Sequence, residues 1–233
     1  DIKHIFSGIS FKSKYEKRFV VEWGVTTIIT LLFLGLFVSW PLVLTAGNLI
    51  YDRLEALREV KPSNQIAIIA LDDKSIDALG GWPLSRLHYA KMLQKLADTN
   101  NQPKGIAFDL LFLDETAADN ELAKQMQRHQ VVLPLEFRYR PDAHRRQAVL
   151  PTQAIQTANP QYGHIQISYD ADGLIRGSRV YEEGARHFAL ALWGREVHLN
   201  DPYQRFPMID PKVGFKTYAL SDVLSDRFNA ALL

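Results

Sequence analysis

Hydrophobic and polar positions divide this chain into stretches of different period, and the longest stretch comes first. Residues 23–51 carry no charged side chain, and their centre, TIITLLFLGLFVSW at 27–40, is almost wholly apolar. A helix rises about 1.5 Å per residue, so about 20 such residues cross a hydrocarbon core of ~30 Å. A soluble core helix of this length would carry a polar face, whereas this one offers only Thr, Ser and Asn. The pattern predicts a transmembrane helix over residues 23–48. Trp23, Trp40 and Tyr51 stand where interfacial aromatic anchors belong, and Pro41 marks a kink or the exit from the bilayer core. A cleavable signal peptide fits less well. The run exceeds the about 7–15 residues of a signal core, and only Thr45-Ala46-Gly47 approaches a cleavage site.

Beyond the run, Ile50, Leu54 and Leu57 recur at helical spacing between alternating charges, which predicts a stalk helix over residues 49–62. Lys61-Pro62-Ser63-Asn64 breaks it. The period then changes. IAIIAL at 66–71 is a short β-branched run, read as a buried strand. Asp72 or Asp73 caps a short helix through Leu79, and Gly80-Gly81-Trp82-Pro83 forms a loop. Ser85 or Arg86 opens a second helix with Leu87, Tyr89 or Ala90, Leu93 and Leu96 inward, closed by Asn100 and Asn101. GIAFDLLF at 105–112 is a second strand, residues 120–127 a helix, and VVLPLEF at 131–137 a third strand. Strands joined by helical crossovers predict a parallel sheet.

Residues 138–147 are polar and predict an exposed loop. Residues 163–168 and 174–181 alternate with period two about Asp170-Ala171-Asp172-Gly173, predicting a β-hairpin. Residues 186–197 predict a helix, and short elements complete the chain to Leu233. The fold class is α/β: one transmembrane helix, then a single extracytoplasmic, sandwich-like domain over residues 63–233. Its sheet is mixed and mainly parallel, with an antiparallel edge hairpin.

Charge sets the orientation. Lys3, Lys12, Lys14, Lys17 and Arg18 precede the run against Asp1 and Glu16 alone, while both signs mix after it. The basic flank, residues 1–22, is therefore expected in the cytoplasm, and residues after about 50 in the periplasm or outside the cell. A bacterial inner, or cell, membrane is the expected location. Net charge is +1, which gives no electrostatic case for nucleic acid, and the absence of cysteine removes disulfides and thiolate metal sites.

Asp72, Asp73 and Asp109 fall at the C-terminal ends of predicted strands, where open α/β sheets bind ligands. Three carboxylates there suit Mg²⁺ or Ca²⁺; otherwise Asp72 or Asp73 caps a helix and Asp109 pairs with Arg86. Trp82-Pro83 and Arg86 either line a pocket mouth, with Arg86 toward an anion, or lock the loop. Asp170-x-Asp172-Gly173 begins like a calcium loop but lacks the glycine at its sixth place, occupied by Ile175, so it reads as a turn. His88, His129, His144, His164, His187 and His198 show no zinc spacing, although His164 could serve as a pH-sensitive group. No nucleophile elbow, P-loop or dinucleotide fingerprint is present, and no cofactor is expected.

Three motifs in order carry a resemblance. IAIIALDDKS at 66–75 with GGWPLSR at 80–86 resembles the opening of the second CHASE family, the cyclase/histidine-kinase-associated sensory extracellular domains. GIAFDLLF is similar to that family's next strand, and Gly163-His164 running to DADGLIR at 170–176 resembles its Gly-His…Asp-x-Asp-Gly-x-x-Arg hairpin. The family usually has two basic residues there, whereas Gly177 follows Arg176 in this chain. The resemblance implies the sensory part of a membrane receptor, with a histidine kinase, an adenylate or diguanylate cyclase, or a Ser/Thr kinase as cytoplasmic output. Its start at Asp1 and its end at Leu233, where the family continues into a further strand and more spans, imply a truncated receptor.

The expected function is ligand sensing, by Asp72, Asp73, Trp82, Arg86, Asp109, Asp172 and Arg176, of a small molecule or periplasmic protein. The chain itself is expected not to be an enzyme and to act as a homodimer in the membrane. The competing class is a metal-dependent hydrolase or phosphatase on the outer membrane face using Asp72, Asp73 and Asp109.

Overall fold

The computed structural model describes residues 14–38, 41–58, 60–99, 102–142, 144–195, 201–207 and 214–225. The expectations for Lys3, Lys12, Trp40, Asn100, Asn101 and His198 lie outside these residues. The chain separates into two units, Asp1–Leu57 and Arg58–Leu233.

The first unit holds helices α1 (Lys14–Val38) and α2 (Pro41–Ala56). The uncharged run extends over both α1 and α2, and residues 39 and 40 between them lie outside the described ones. Pro41 opens the second helix, the place where a missing N–H costs no hydrogen bond. The segment Arg18–Val38 has mean hydropathy 2.0 and is long and apolar enough to cross a membrane. Its side chains from 21 to 38 are all exposed. Two of its hydroxyls are internalised instead: Thr26 donates to the Glu22 carbonyl at 2.8 Å, and Thr30 to the Thr26 carbonyl at 2.8 Å. The helical pattern expected through residue 62 stops at Ala56, where the Leu57 amide closes a tight turn on the Leu54 carbonyl at 3.2 Å.

The second unit is mixed α/β. It opens with β1 (Ala67–Ala70), α3 (Asp73–Ala78), α4 (Arg86–Ala97), β2 (Ile106–Ala107), α5 (Asp119–Met126) and β3 (Val131–Arg140). There follow β4 (Arg145–Val149), α6 (Gln153–Gln156), β5 (Gln161–His164), β6 (Gly177–Arg179), β7 (Tyr181–Glu182) and β8 (Ala185–Arg186). Helix α7 (Phe188–Trp193), β9 (Tyr203–Arg205), β10 (Lys216–Ala219) and α8 (Leu220–Leu224) complete it.

Strand β3 is the centre. Its first five residues are buried on both faces, as a continuous apolar run in a parallel sheet requires, and it pairs in parallel with β2 and β5. Leu93 of α4, Leu122 and Met126 of α5, and Leu133 of β3 are almost completely buried within one core cluster. Local signals place the helix starts. Asp72 accepts the Ser75 amide at 2.9 Å, and Ser85 caps α4 by accepting the Leu87 amide. On α4, however, Leu87 is exposed and Arg86 is buried, because the inward stripe runs through 86, 89, 93 and 96.

Several expected elements differ. The strand expected over 105–112 ends at Ala107. Phe108 still donates to the Val132 carbonyl at 3.0 Å, but the next rung toward β2 would come from the amide of residue 134, a proline. The polar 138–147 segment is not a loop: β3 runs to Arg140 and pairs antiparallel with β4. The hairpin expected between 163–168 and 174–181 does not form. The turn exists, with Gly173 donating to the Asp170 carbonyl at 2.9 Å, but β5 pairs with β3 and β6 with β9. A hairpin the pattern did not reveal joins β7 to β8 through Glu183 and Gly184, both at positive φ as such a tight turn requires. Instead of one sheet, the described residues form four separate ones. The helix expected over 186–197 spans Phe188–Trp193 and is closed by Gly194 in the left-handed conformation.

Gly163 allows α7 to lie directly on β5. A Cβ there would sit 2.4 Å from Phe188 Cα and 2.9 Å from its amide nitrogen. Gly163→Ala is therefore expected to destabilise the domain by about 1–3 kcal/mol, read as a lowered urea midpoint of the solubilised chain.

Candidate functional site

Where β2 leaves the sheet, the structure opens. Past the ends of β2 and β5, and beside Pro134 of β3, lies a cavity of about 520 Å³. Residues Asp109 to Phe112, freed from the ladder, form one wall. Trp82 and Pro83 stand on another, and Tyr89 of α4 reaches in from beneath. Trp82 is 61% exposed although it is the largest apolar side chain of its loop. The two glycines before it, with φ of 103° and 90°, take backbone conformations that other residues rarely adopt. Tyr89, Phe108 and Phe112 form a triangle of edge-on rings with centroids 5.8–6.2 Å apart, which stiffens the floor.

Arg86 belongs to this wall, but its charge is committed. It pairs with the buried carboxylate of Asp119, donates to the Asp114 carbonyl, and holds its guanidinium over the Phe112 ring at 5.2 Å from the centroid. Asp119 also accepts from Thr116 at 2.5 Å and Thr152 at 2.7 Å. Burial pushes the Asp119 carboxyl up, but the two threonine hydroxyls and Arg86 outweigh it and hold the group below its ordinary value. The expected Arg86–Asp109 pair is thus replaced by Arg86–Asp119, and both terminal nitrogens of Arg86 already hold a hydrogen bond.

Of the residues singled out in the sequence, Trp82, Arg86 and Asp109 meet at the cavity. Asp72 does not: it is the cap of α3, its carboxyl lowered first by the Ser75 side chain and then by the Ser75 amide. Asp73 lies in the first turn of that helix. No group of three or more acidic or histidine side chains suited to a metal forms among the described residues, so the three carboxylates are not gathered into one cation site. Asp172 and Arg176 face each other. Asp172 takes both terminal nitrogens of Arg176 at 2.7 and 2.8 Å, and Asp170 accepts a third bond at 2.8 Å. That pairing lowers Asp172 to about 2. These bonds lock the turn. Gly177, where a second basic residue is the family habit, lies against β9: a Cβ there would be 2.2 Å from the Gln204 carbonyl oxygen.

Tyr89, Phe112, Asp114 and Pro134 complete the site and do not stand out in the sequence as site residues. Pro134 inside an otherwise ideal strand run is the available signal.

A second feature lies at the end of β5. His164 is fully buried, neither of its ring nitrogens has a hydrogen-bond partner among the described residues, and it meets His187 edge-on at 5.2 Å. His187 caps α7, its Nδ1 accepting the Ala189 amide at 3.3 Å, which leaves the proton on Nε2. Burial lowers both. For His164 the neighbouring His187 lowers it further, while Glu182 and the backbone at Val180 and Arg179 act in the opposite sense without reversing the shift.

The family profile described as the CHASE2 domain matches residues 26–231. No curated protein and no solved structure matches the chain.

The buried groups make their own demands on stability. Asp119→Ala leaves Arg86 buried without its anion and is expected to cost about 3–5 kcal/mol in chemical denaturation, whereas the double variant Arg86→Met, Asp119→Leu is milder. The histidine pair is neutral in the fold. The stability it contributes is present above its unfolded value of about 6.5 and is lost as pH falls from there through the lowered folded values. The urea midpoint should therefore drop between pH 7.5 and 5, and His187→Asn, which keeps a helix cap, should flatten that slope.

Proposed function

The chain belongs to the CHASE2 family, a family of sensory extracellular domains of signalling receptors, and from that premise we propose that it is the ligand-sensing part of a membrane receptor. The observation that carries this reading is the cavity of about 520 Å³, a volume within the about 300–1,000 Å³ of small-molecule sites. It lies past the carboxyl ends of parallel strands, where open α/β sheets bind ligands. Its walls come from segments distant in sequence, the 80–83 loop, α4, the 109–114 segment and the end of β5, so an occupant would bias how these elements pack. The chain acts by binding.

The N-terminus lies in the cytoplasm, α1 crosses a bacterial inner membrane, and the second unit stands outside it. The Lys/Arg excess before the apolar helix supports this orientation. The change passes through α2 to a cytoplasmic kinase or nucleotide cyclase carried elsewhere in the receptor. The receptor works as a homodimer, a reading supported by Ile50, Leu54 and Leu57, which are exposed along and just beyond α2.

Two measurements test the proposal. Because the chain has no cysteine, single replacements report topology cleanly. Gln147→Cys should react with a membrane-impermeant maleimide in intact cells and Ser10→Cys only after lysis; the reverse pattern removes the proposed orientation. In the full receptor, Ile165→Trp, which fills the cavity, and Leu54→Pro, which breaks α2, should each abolish stimulus-dependent output while the protein still inserts in the membrane. Undiminished signalling in both would strip the cavity of its sensing role and α2 of its part in transmission.

A further inference from the structure

We infer that the cavity binds a small organic cation, a protonated amine or quaternary ammonium group bearing an apolar portion. This inference rests on the cavity being the sensing site and adds the chemistry of its ligand. The wall carries three charged side chains. Arg86 is 8% exposed, and its charge is already paired with Asp119 while it donates to the Asp114 carbonyl. The other two, Asp109 and Asp114, are carboxylates, and neither makes an ion pair among the described residues. The unneutralised charge facing the cavity is therefore negative, and a low-dielectric wall focuses such a field on an entering ion.

The remaining surface matches the other half of such a ligand. Trp82 contributes an exposed indole face of the kind that attracts cations, while Tyr89 and Phe112 form the buried aromatic surface behind it. The wall already uses this chemistry once, since the Arg86 guanidinium lies over Phe112. Trp82 remains in solvent at the mouth, where an indole face can close over an ammonium group without first breaking a packed contact. Leu110 and Ile165 provide the apolar surface for the rest of the molecule. Asp109 and Asp114 are both exposed, so a neutral ligand gains nothing from them, whereas an anion is repelled.

The test uses the full chain in detergent and isothermal titration with three probes of similar size: benzyltrimethylammonium, benzyl alcohol and benzoate. The cation should saturate a single site, with the other two weaker by at least about tenfold. Asp109→Asn should weaken the cation by about tenfold and Trp82→Ala by about fivefold, with melting temperatures unchanged. Ile165→Trp should abolish its binding. If benzyl alcohol or benzoate binds as well as the cation and Ile165→Trp removes that binding, the cavity is a ligand site and the cationic class is wrong. If the cation binds equally to Ile165→Trp, it binds elsewhere and the inference falls. No saturable binding by any probe at millimolar concentration overturns both the class and the role of the cavity.

Discussion

A missing hydrogen-bond donor governs the second unit. In the parallel ladder between β2 and β3, alternate residues of β3 face β2, and after Val132 the next to do so is Pro134. With no N–H there, the Phe108 carbonyl gains no partner from β3 and the chain turns out of the sheet. Everything at the cavity depends on that departure. Residues 109–112 become wall instead of strand, and the Phe112 carbonyl is taken by the Thr152 amide at 2.9 Å, fastening the departed segment to the start of α6. A valine at 134 would suit the strand better and would favour a closed sheet edge.

Around this opening, buried arginines fix loops that the backbone alone would leave loose. Arg86 gathers the 114–119 loop, the start of α5 and Thr152 through one carboxylate. Arg176 does the same for the 170–173 turn through two. The Arg86 pair is covered and Asp119's remaining acceptors are filled, the condition under which a buried pair specifies a conformation without leaving an uncompensated charge, whereas Arg176 is buried but its partner Asp172 stays at the surface. The carboxylates that remain outside such pairs, at 109 and 114, thereby stand apart from the structural ones.

What the sequence disclosed follows from how local each signal is. The Asp72 cap, the Ser85 cap, the Gly80-Gly81 loop and the buried core of β3 depend on neighbours within a few residues, and all were legible. Strand pairing is not local. The sequence alternation in 163–168 and 174–181 does not carry over into alternating burial, and period two does not say which strand is the partner, so two segments with distant partners resemble a hairpin. Leu87 and Arg86 were exchanged because hydropathy ranks leucine inward, while Asp119, thirty-three positions away, draws the arginine in. Trp82, Arg86 and Asp109, which stand out as polar and aromatic residues near strand ends, come together at the cavity wall. Asp72, Asp73, Asp172 and Arg176 stood out for the same reason, and the structure uses them for caps and turns.

The hydroxyls of Thr26 and Thr30 in α1 carry a different consequence. Each is bound to the carbonyl one turn back, so over residues 28–38 the outward surface of the helix is close to uniform hydrocarbon on every side. A cylinder of that kind has no preferred azimuth in lipid: turning it about its own axis exposes nothing new and breaks no bond. Were this helix to span a bilayer, rotation about its own axis would alter its lipid-facing surface little, and its angle would be set by what is attached at its two ends.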